Sequence, residues 1–217
     1  MEPPKTRPYR SRRRQENAEE TRRRILRSAR KLIVTRGFGG TTVDAIAKGA
    51  GVAVQTVYAV FGSKHGILIE LHDHLAYEAD YDALNAALAA AEGNPRQQLR
   101  ERIAFNMRYY SRGADLIEAA RSASGVDKGL AELWKRGEDR RYARYMALVQ
   151  KWADDGDLRP GADVSSATDM WWALASPDLY RLFVVERGWP EERFAQYLFT
   201  TMEQELFGRE SGDLQAG

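Results

Sequence analysis

Residues 21–71 read TRRRILRSARKLIVTRGFGGTTVDAIAKGAGVAVQTVYAVFGSKHGILIEL. Ile25, Leu26, Ala29, Leu32 and Ile33 recur there at three- and four-residue steps with arginines between them, which predicts an amphipathic helix. Gly37 stands after Arg36 where a left-handed residue closes a helix, and Phe38 is placed to fold back on the last turn. Thr42 is an N-cap before Val43, Ile46, Ala47 and Ala50, with Asp44 in the first turn facing the positive end of the helix dipole. Gly49 and Gly51 bracket the end of that short helix. Val54 to Phe61 forms another, with Val57, Tyr58 and Phe61 at helical spacing. Two short helices joined by a glycine-containing turn make a helix-turn-helix unit.

On the C-terminal side, Ser63 caps a longer helix expected to run through Ile67, Leu68 and Leu71 to about Ala91, ended by Gly93-Asn94-Pro95. Further helices are expected over 96–111, 114–124, 128–154, 163–187 and 191–207. Their breaks fall at Arg112-Gly113, Ser124-Gly125, Gly156 to Gly161 and Gly188-Trp189-Pro190. Ser176-Pro177-Asp178 breaks or kinks the fourth of these. Strand-like alternation is nowhere sustained, and no internal repeat appears. The fold class is all-α: an N-terminal three-helix helix-turn-helix domain plus a larger C-terminal helical bundle. On the N-terminal side, residues 1–15 hold three of the seven prolines and no apolar periodicity, which predicts a disordered basic arm. That arm either reaches a neighbouring DNA groove or serves as a solubilising tail. The expected division is therefore 1–15 arm, 16–66 helix-turn-helix domain and 67–217 C-terminal domain.

The net charge of +2 conceals two opposite segments. Residues 1–66 carry 15 Lys/Arg against 5 Asp/Glu, a net of +10, while residues 67–217 carry 18 against 26, a net of −8. A basic segment of this kind suits a polyanion, and nucleic acid fits better than a membrane surface because no amphipathic aromatic anchor adjoins the basic run. The absence of cysteine removes disulfide scaffolds, thiol nucleophiles and thiolate zinc sites, and fits a cytoplasmic protein, nucleoid-associated when bound to DNA. No run of about 18 apolar residues predicts a membrane span, and the N-terminus does not read as a secretory signal.

The ordered set Arg36-Gly37-Phe38, Thr41-Thr42, Ile46-Ala47, Ala50-Gly51-Val52, Thr56-Val57-Tyr58, Phe61 and Ser63-Lys64 resembles the DNA-binding domain of the TetR/AcrR family of transcriptional regulators. The resemblance covers about fifty residues without a gap. It implies that Thr42, Tyr58 and Lys64 hold backbone phosphates. The residue types agree: a hydroxyl at a helix N-terminus, a phenol on the recognition helix, and an ammonium at the next helix start. Independently of the family, a recognition helix offers its first turn to base edges, here Val54, Gln55 and Thr56. Gln55 suits adenine, and Val54 or Thr56 suits a thymine methyl. Tyr58 also has a plain packing reading, and Phe61 is expected in the core. Two positions depart from the family pattern: Ala53 stands where Ser is common, and Val60 where His is common.

For the C-terminal domain the resemblance implies dimerisation through the helices about 163–187 and 191–207, and a small-molecule pocket. Phe194, Tyr197, Leu198, Thr201, Met202 and Leu206 form a stripe suited either to core or to dimer burial. Met107, Tyr110, Trp134, Tyr145, Trp171, Trp172 and Tyr180 are candidates to line an apolar ligand cavity, or else ordinary core. His72 and His74 flank Asp73, but residues two apart on a helix do not share a face, so no metal site is expected. No nucleophile–base pair, phosphate loop or paired carboxylates stand out, so neither a cofactor nor enzymatic activity is expected. The expected function is a homodimeric repressor released from a palindromic double-stranded DNA operator by an unidentified small-molecule effector. An all-α enzyme or carrier and a non-specific nucleoid protein are the rivals, and activation rather than repression stays open.

Overall fold

Alanine, arginine, glutamate and leucine, which lose little on entering a helix, dominate the chain, and the computed structural model is helical accordingly. It describes residues 7–208, with side chains from Arg13 onward. The elements are α1 (Arg7–Arg36), α2 (Val43–Ala50), α3 (Val54–Phe61), α4 (Lys64–Glu78), α5 (Tyr81–Ala90), α6 (Pro95–Ser124), α7 (Lys128–Asp154), α8 (Val164–Leu174), α9 (Pro177–Tyr180) and α10 (Glu191–Phe207). A six-residue π-helical stretch, Arg181–Glu186, continues from α9. No strand occurs among the described residues.

The chain forms two compact units: residues up to His74 with Glu118–Ala131, and Leu75–Ile117 with Glu132 onward. In the first unit, the face expected from the sequence is the one buried. Ile25, Ala29 and Ile33 of α1 are buried in a core with Ile46, Ala47, Val57 and Ile67. The approach of α1 to α2 requires glycine, since a Cβ on Gly49 would lie 2.4 Å from Ser28 Oγ. That serine hydroxyl donates to the Ile46 carbonyl at 3.0 Å and pins the two helices together.

The second unit packs around stacked aromatic rings. Tyr145 stacks on Trp171 with centroids 4.4 Å apart, and Trp152 stacks on Trp171 at 5.7 Å. Phe194, Leu198, Met202 and Leu206 of α10 are fully buried against this cluster, so most of the α10 stripe is core. Tyr197 alone among its large residues faces out, 41% exposed.

Four local expectations change. Residues 1–6 of the expected arm lie outside the described residues, while residues 7–15 are helix rather than disordered. Arg, Gln and Glu are strong helix formers, and Pro8 is confined to the first turn where its missing N–H costs nothing. The helix expected from Ser63 to Ala91 stops at Glu78. Arg108 Nε donates to the Ala79 carbonyl at 3.1 Å, Arg112 to that of Glu78, and Asp80 turns the chain at φ 64. Asp80 is the only described non-glycine residue at positive φ; its carboxylate then caps α5 by accepting from the Ala83 N–H at 3.1 Å.

Conversely, Gly113 does not break α6. It is buried within the helix, and a Cβ there would meet Leu75 Cδ1 at 2.5 Å, so the glycine marks a close approach of α4 and α6. Lastly, the run 163–187 is three pieces. Ser176 caps a new start by accepting from the Leu179 N–H at 3.2 Å, with Pro177 at the first helical position.

Candidate nucleic-acid interface

The helix-turn-helix is built by clamps from α1. Arg24 donates from Nε and Nη2 to the Ala50 carbonyl at 2.9 and 2.5 Å, and from Nη2 to the Gly51 carbonyl at 2.8 Å. A cation thereby occupies the negative end of the α2 dipole and fixes the turn that sets the direction of α3. Arg22 pairs with Glu70 of α4 at 2.6–2.8 Å, and the hydrogen bond from Arg22 holds the Glu70 carboxyl below its ordinary range. The same guanidinium lies 5.1 Å from the Phe61 ring centroid. Neither arginine stood out in the sequence, where the α1 arginines look like an undifferentiated solvated face.

On this frame α3 is anchored by Val57, which is buried, and turns the opposite face to solvent. Gln55 is exposed, Val54 and Thr56 are half-buried in the same first turn, and Tyr58 is 51% exposed. That exposure separates Tyr58 from Phe61, which is half-buried beside Arg22. Ala53 is the N-cap of α3 and offers no side-chain hydrogen bond, as its departure from the serine pattern implies. Thr42 is exposed at the start of α2, and its Oγ1 accepts from the Ala45 N–H at 3.1 Å. The hydroxyl proton remains for an outside acceptor.

Lys64 behaves differently from the free ammonium that the sequence suggests. Its Nζ donates to the carbonyls of Phe38 and Thr41 at 2.8 and 2.9 Å and sits 4.1 Å from the Phe38 ring centroid. Burial lowers its pKa, against the favourable charge of Asp127. With two of three donors committed inward, the side chain clamps the α1–α2 turn to the start of α4. His65, next along, stacks tilted on Phe38 at 5.2 Å, and its Nε2 lies 3.1 Å from Asp127 Oδ1. Asp127 in turn caps α7, accepting from the Leu130 N–H at 3.0 Å.

Residues 25–71, the segment that contains these clamps and this face, match the family model described as "Bacterial regulatory proteins, tetR family". Among curated relatives, the HTH-type transcriptional regulator EthR of Mycolicibacterium smegmatis is 26% identical over 67% of this chain and 68% of its own length. The HTH-type transcriptional repressor NicS of Pseudomonas putida is 32% identical over 48% of each chain, so the chain spans about half of that relative's length. Residues 25–71 are thereby similar to the DNA-binding domain of the tetR family of bacterial regulatory proteins. The fold of the chain also matches that of a transcriptional regulator from Saccharomonospora viridis crystallised in complex with choline, with a TM-score of 0.68 at 22% identity over 88% of this chain and all of that one.

The aromatic residues considered for a ligand cavity gather in the core of the second unit. Met107, Tyr110, Tyr145, Trp171 and Tyr180 are buried there, with Trp134 and Trp172 half-buried against them. Their polar tips are partly engaged. The Tyr110 hydroxyl donates to the Ala175 carbonyl at 2.7 Å, and the Tyr180 hydroxyl to Glu191 Oε1 at 2.8 Å. Burial pushes both phenols above the ordinary tyrosine range, helped at Tyr180 by the Glu191 carboxylate. Arg141 was not among the candidates. It pairs with Glu138, three residues before it, at 2.5 Å, and donates to the Trp172 carbonyl at 2.7 Å, a contact 31 residues away that spacing rules do not show.

Proposed function

We propose that the protein is a homodimeric repressor that reads a palindromic operator with α3 and releases it when a small molecule occupies the second unit. The observation that carries the DNA-binding half is the division of α3: Val57 fastens it inward while Gln55 and Tyr58 stand in solvent. Val54, Gln55 and Thr56 are assigned to base edges, with Gln55 suited to adenine N6 and N7. Thr42 and Tyr58 are assigned to phosphate oxygens, and Lys64 to positioning the turn from which α2 starts. The homodimer is assigned to the region 163–187 and 191–207. There Met170, Leu182, Val185 and Tyr197 are large apolar side chains left exposed, the pattern expected of a face covered by a second copy.

Release follows from a shift between two states of the dimer, only one of which presents the two α3 helices to successive major grooves. The small-molecule half draws support from the buried aromatic cluster and from the choline complex of the structural neighbour. By their residue ranges α4, α6 and α7 each run from one unit into the other. Selecting bound duplexes from a random pool tests the proposal. A two-fold-symmetric motif is expected, and Gln55→Ala is expected to relax it at one position of each half-site. Binding with no preferred motif, vanishing at moderate salt, would instead assign a non-specific nucleoid role.

A further inference from the structure

Along α6 three polar residues recur every four positions and all point inward: Gln98, Arg102 and Asn106 are 5%, 5% and 4% exposed. The outer two are satisfied. Gln98 Nε2 donates to the Leu88 carbonyl at 3.0 Å while its Oε1 accepts from Trp152 Nε1 at 2.7 Å. Asn106 Nδ2 donates to the Tyr145 hydroxyl at 2.7 Å. Arg102, between them, is not. Its Nε has no acceptor, and among the described residues no carboxylate or carbonyl takes a hydrogen bond from its guanidinium. That group lies near rings alone, 5.4 Å from the centroid of Phe105 and 5.3 Å from that of Tyr145.

The surroundings sharpen the imbalance. Arg141 sits 5.7 Å from the same Tyr145 ring, and its own Nε lacks an acceptor. Trp171, stacked on Tyr145 at 4.4 Å, also has a buried Nε1–H without a partner. The carboxylate of Glu138 serves Arg141. Two guanidinium cations and one carboxylate thus surround a single phenol ring, with three idle N–H donors. Among the described residues no buried side-chain oxygen is left over to meet them. Buried N–H donors without acceptors are disfavoured, and this surplus of donors suits an acceptor from outside the chain.

We propose that the second unit binds a small carboxylic acid, its carboxylate accepting from Arg102 and its apolar body lying against the Tyr145–Trp171–Trp152 stack. The proposal deepens the effector assignment above and rests on it. A planar guanidinium matches a carboxylate with two parallel hydrogen bonds, which a neutral amide or a cation does not reproduce.

The test uses the full-length protein and three matched sets of probes: benzoate, benzamide and benzylamine, and hexanoate, hexanamide and hexylamine. Melting temperature and calorimetric affinity are read first, and displacement from the selected operator is read separately by fluorescence anisotropy. The expected result is that an acid raises the melting temperature and binds at least about tenfold more tightly than its amide, with the amine weakest. Arg102→Met is expected to erase the acid–amide difference while leaving the ligand-free melting temperature unchanged or higher. Arg102→Lys keeps the charge but not the paired geometry, so it is expected to lose about tenfold in acid affinity and none in amide affinity. Equal binding of acid and amide, preference for an amine, an acid preference that survives Arg102→Met, or no response to either acid would each overturn the proposal. Acid binding that leaves the operator bound supports the carboxylate site and removes its effector role. Operator release by amide as readily as by acid keeps the effector role and overturns the carboxylate site.

Discussion

Arg24, half-buried, and Arg102, buried, carry the same guanidinium and meet opposite fates. In the first unit Arg24 is met by two carbonyls of the α2–α3 turn. In the second, Arg102 lies between satisfied neighbours with nothing but rings beside it. The contrast extends beyond the two residues. Among the described residues, every buried side-chain N or O without a partner lies in the second unit and none in the first. A reading head has to hold its geometry before DNA arrives, so its polar groups are closed on one another. A regulatory unit must gain something when its ligand arrives, and unmet donors leave that gain available.

The comparison breaks most visibly at Arg24. Arg24→Ala removes three hydrogen bonds from a cation to two helix-terminal carbonyls and is expected to cost about 2–3 kcal/mol of stability. Operator affinity should fall with it. Arg102→Met is expected to leave the ligand-free protein at least as stable as before, because no partner is stranded. Chemical denaturation of the two variants side by side decides the matter. Similar losses in both would mean that Arg102 is held as firmly as Arg24.

Gly49→Ala comes next. Its Cβ would overlap Ser28 Oγ at 2.4 Å, so the hydroxyl must turn away from the Ile46 carbonyl or α1 and α2 must separate, at an expected cost of about 1–2 kcal/mol. If that contact is the whole cause, the loss shrinks in a Ser28→Ala background. A double-mutant cycle without coupling would place the strain elsewhere.

How much of this was legible in the sequence follows the same division. Local grammar decided the first unit: the apolar period of α1, the Thr42 cap and the glycine-bounded turn are all short-range signals, and each lies where spacing places it. Gln55 stands in the first turn of α3 where spacing places it, whereas Tyr58, grouped with Val57 and Phe61 at helical spacing, has a packing reading that its exposure removes. What spacing could not show was the destination of long side chains. Lys64 reads as a phosphate ligand from its place in the sequence, and only packing shows that it also reaches back to carbonyls 23 and 26 residues away. The same limit hid the break after Glu78, which depends on arginines of α6, and the continuity through Gly113, which depends on Leu75. Arg102 and Arg141 were overlooked in the second unit because a charged residue in an Arg-rich helix is ordinarily solvated, and only packing reveals the exceptions.

Lys64 therefore offers a finer test of how closed the reading head is. Lys64→Met retains contact with the Phe38 ring but loses both hydrogen bonds, with an expected cost of about 1 kcal/mol. Operator binding should weaken at every sequence while the slope of log affinity against log salt stays as it was. A slope reduced by about one would show that Lys64 neutralises a phosphate after all.

The smallest effect is expected at Asp127, which joins α4 to the first turn of α7 through His65. The Leu130 N–H, and after it His65, holds the Asp127 carboxyl below its ordinary value. A carboxyl lowered in the folded state contributes stability that is complete above its unfolded value and disappears as pH falls through the folded one. Asp127→Asn keeps an acceptor for the Leu130 N–H but removes the charge. The variant should therefore melt slightly below the wild type at neutral pH and converge with it as the solution is acidified below about pH 4. Glu70, lowered by its hydrogen bond from Arg22, titrates in the same direction and is present in both proteins, so it cancels from the difference. A difference that persists unchanged into acid would mean that Asp127 acts through shape alone.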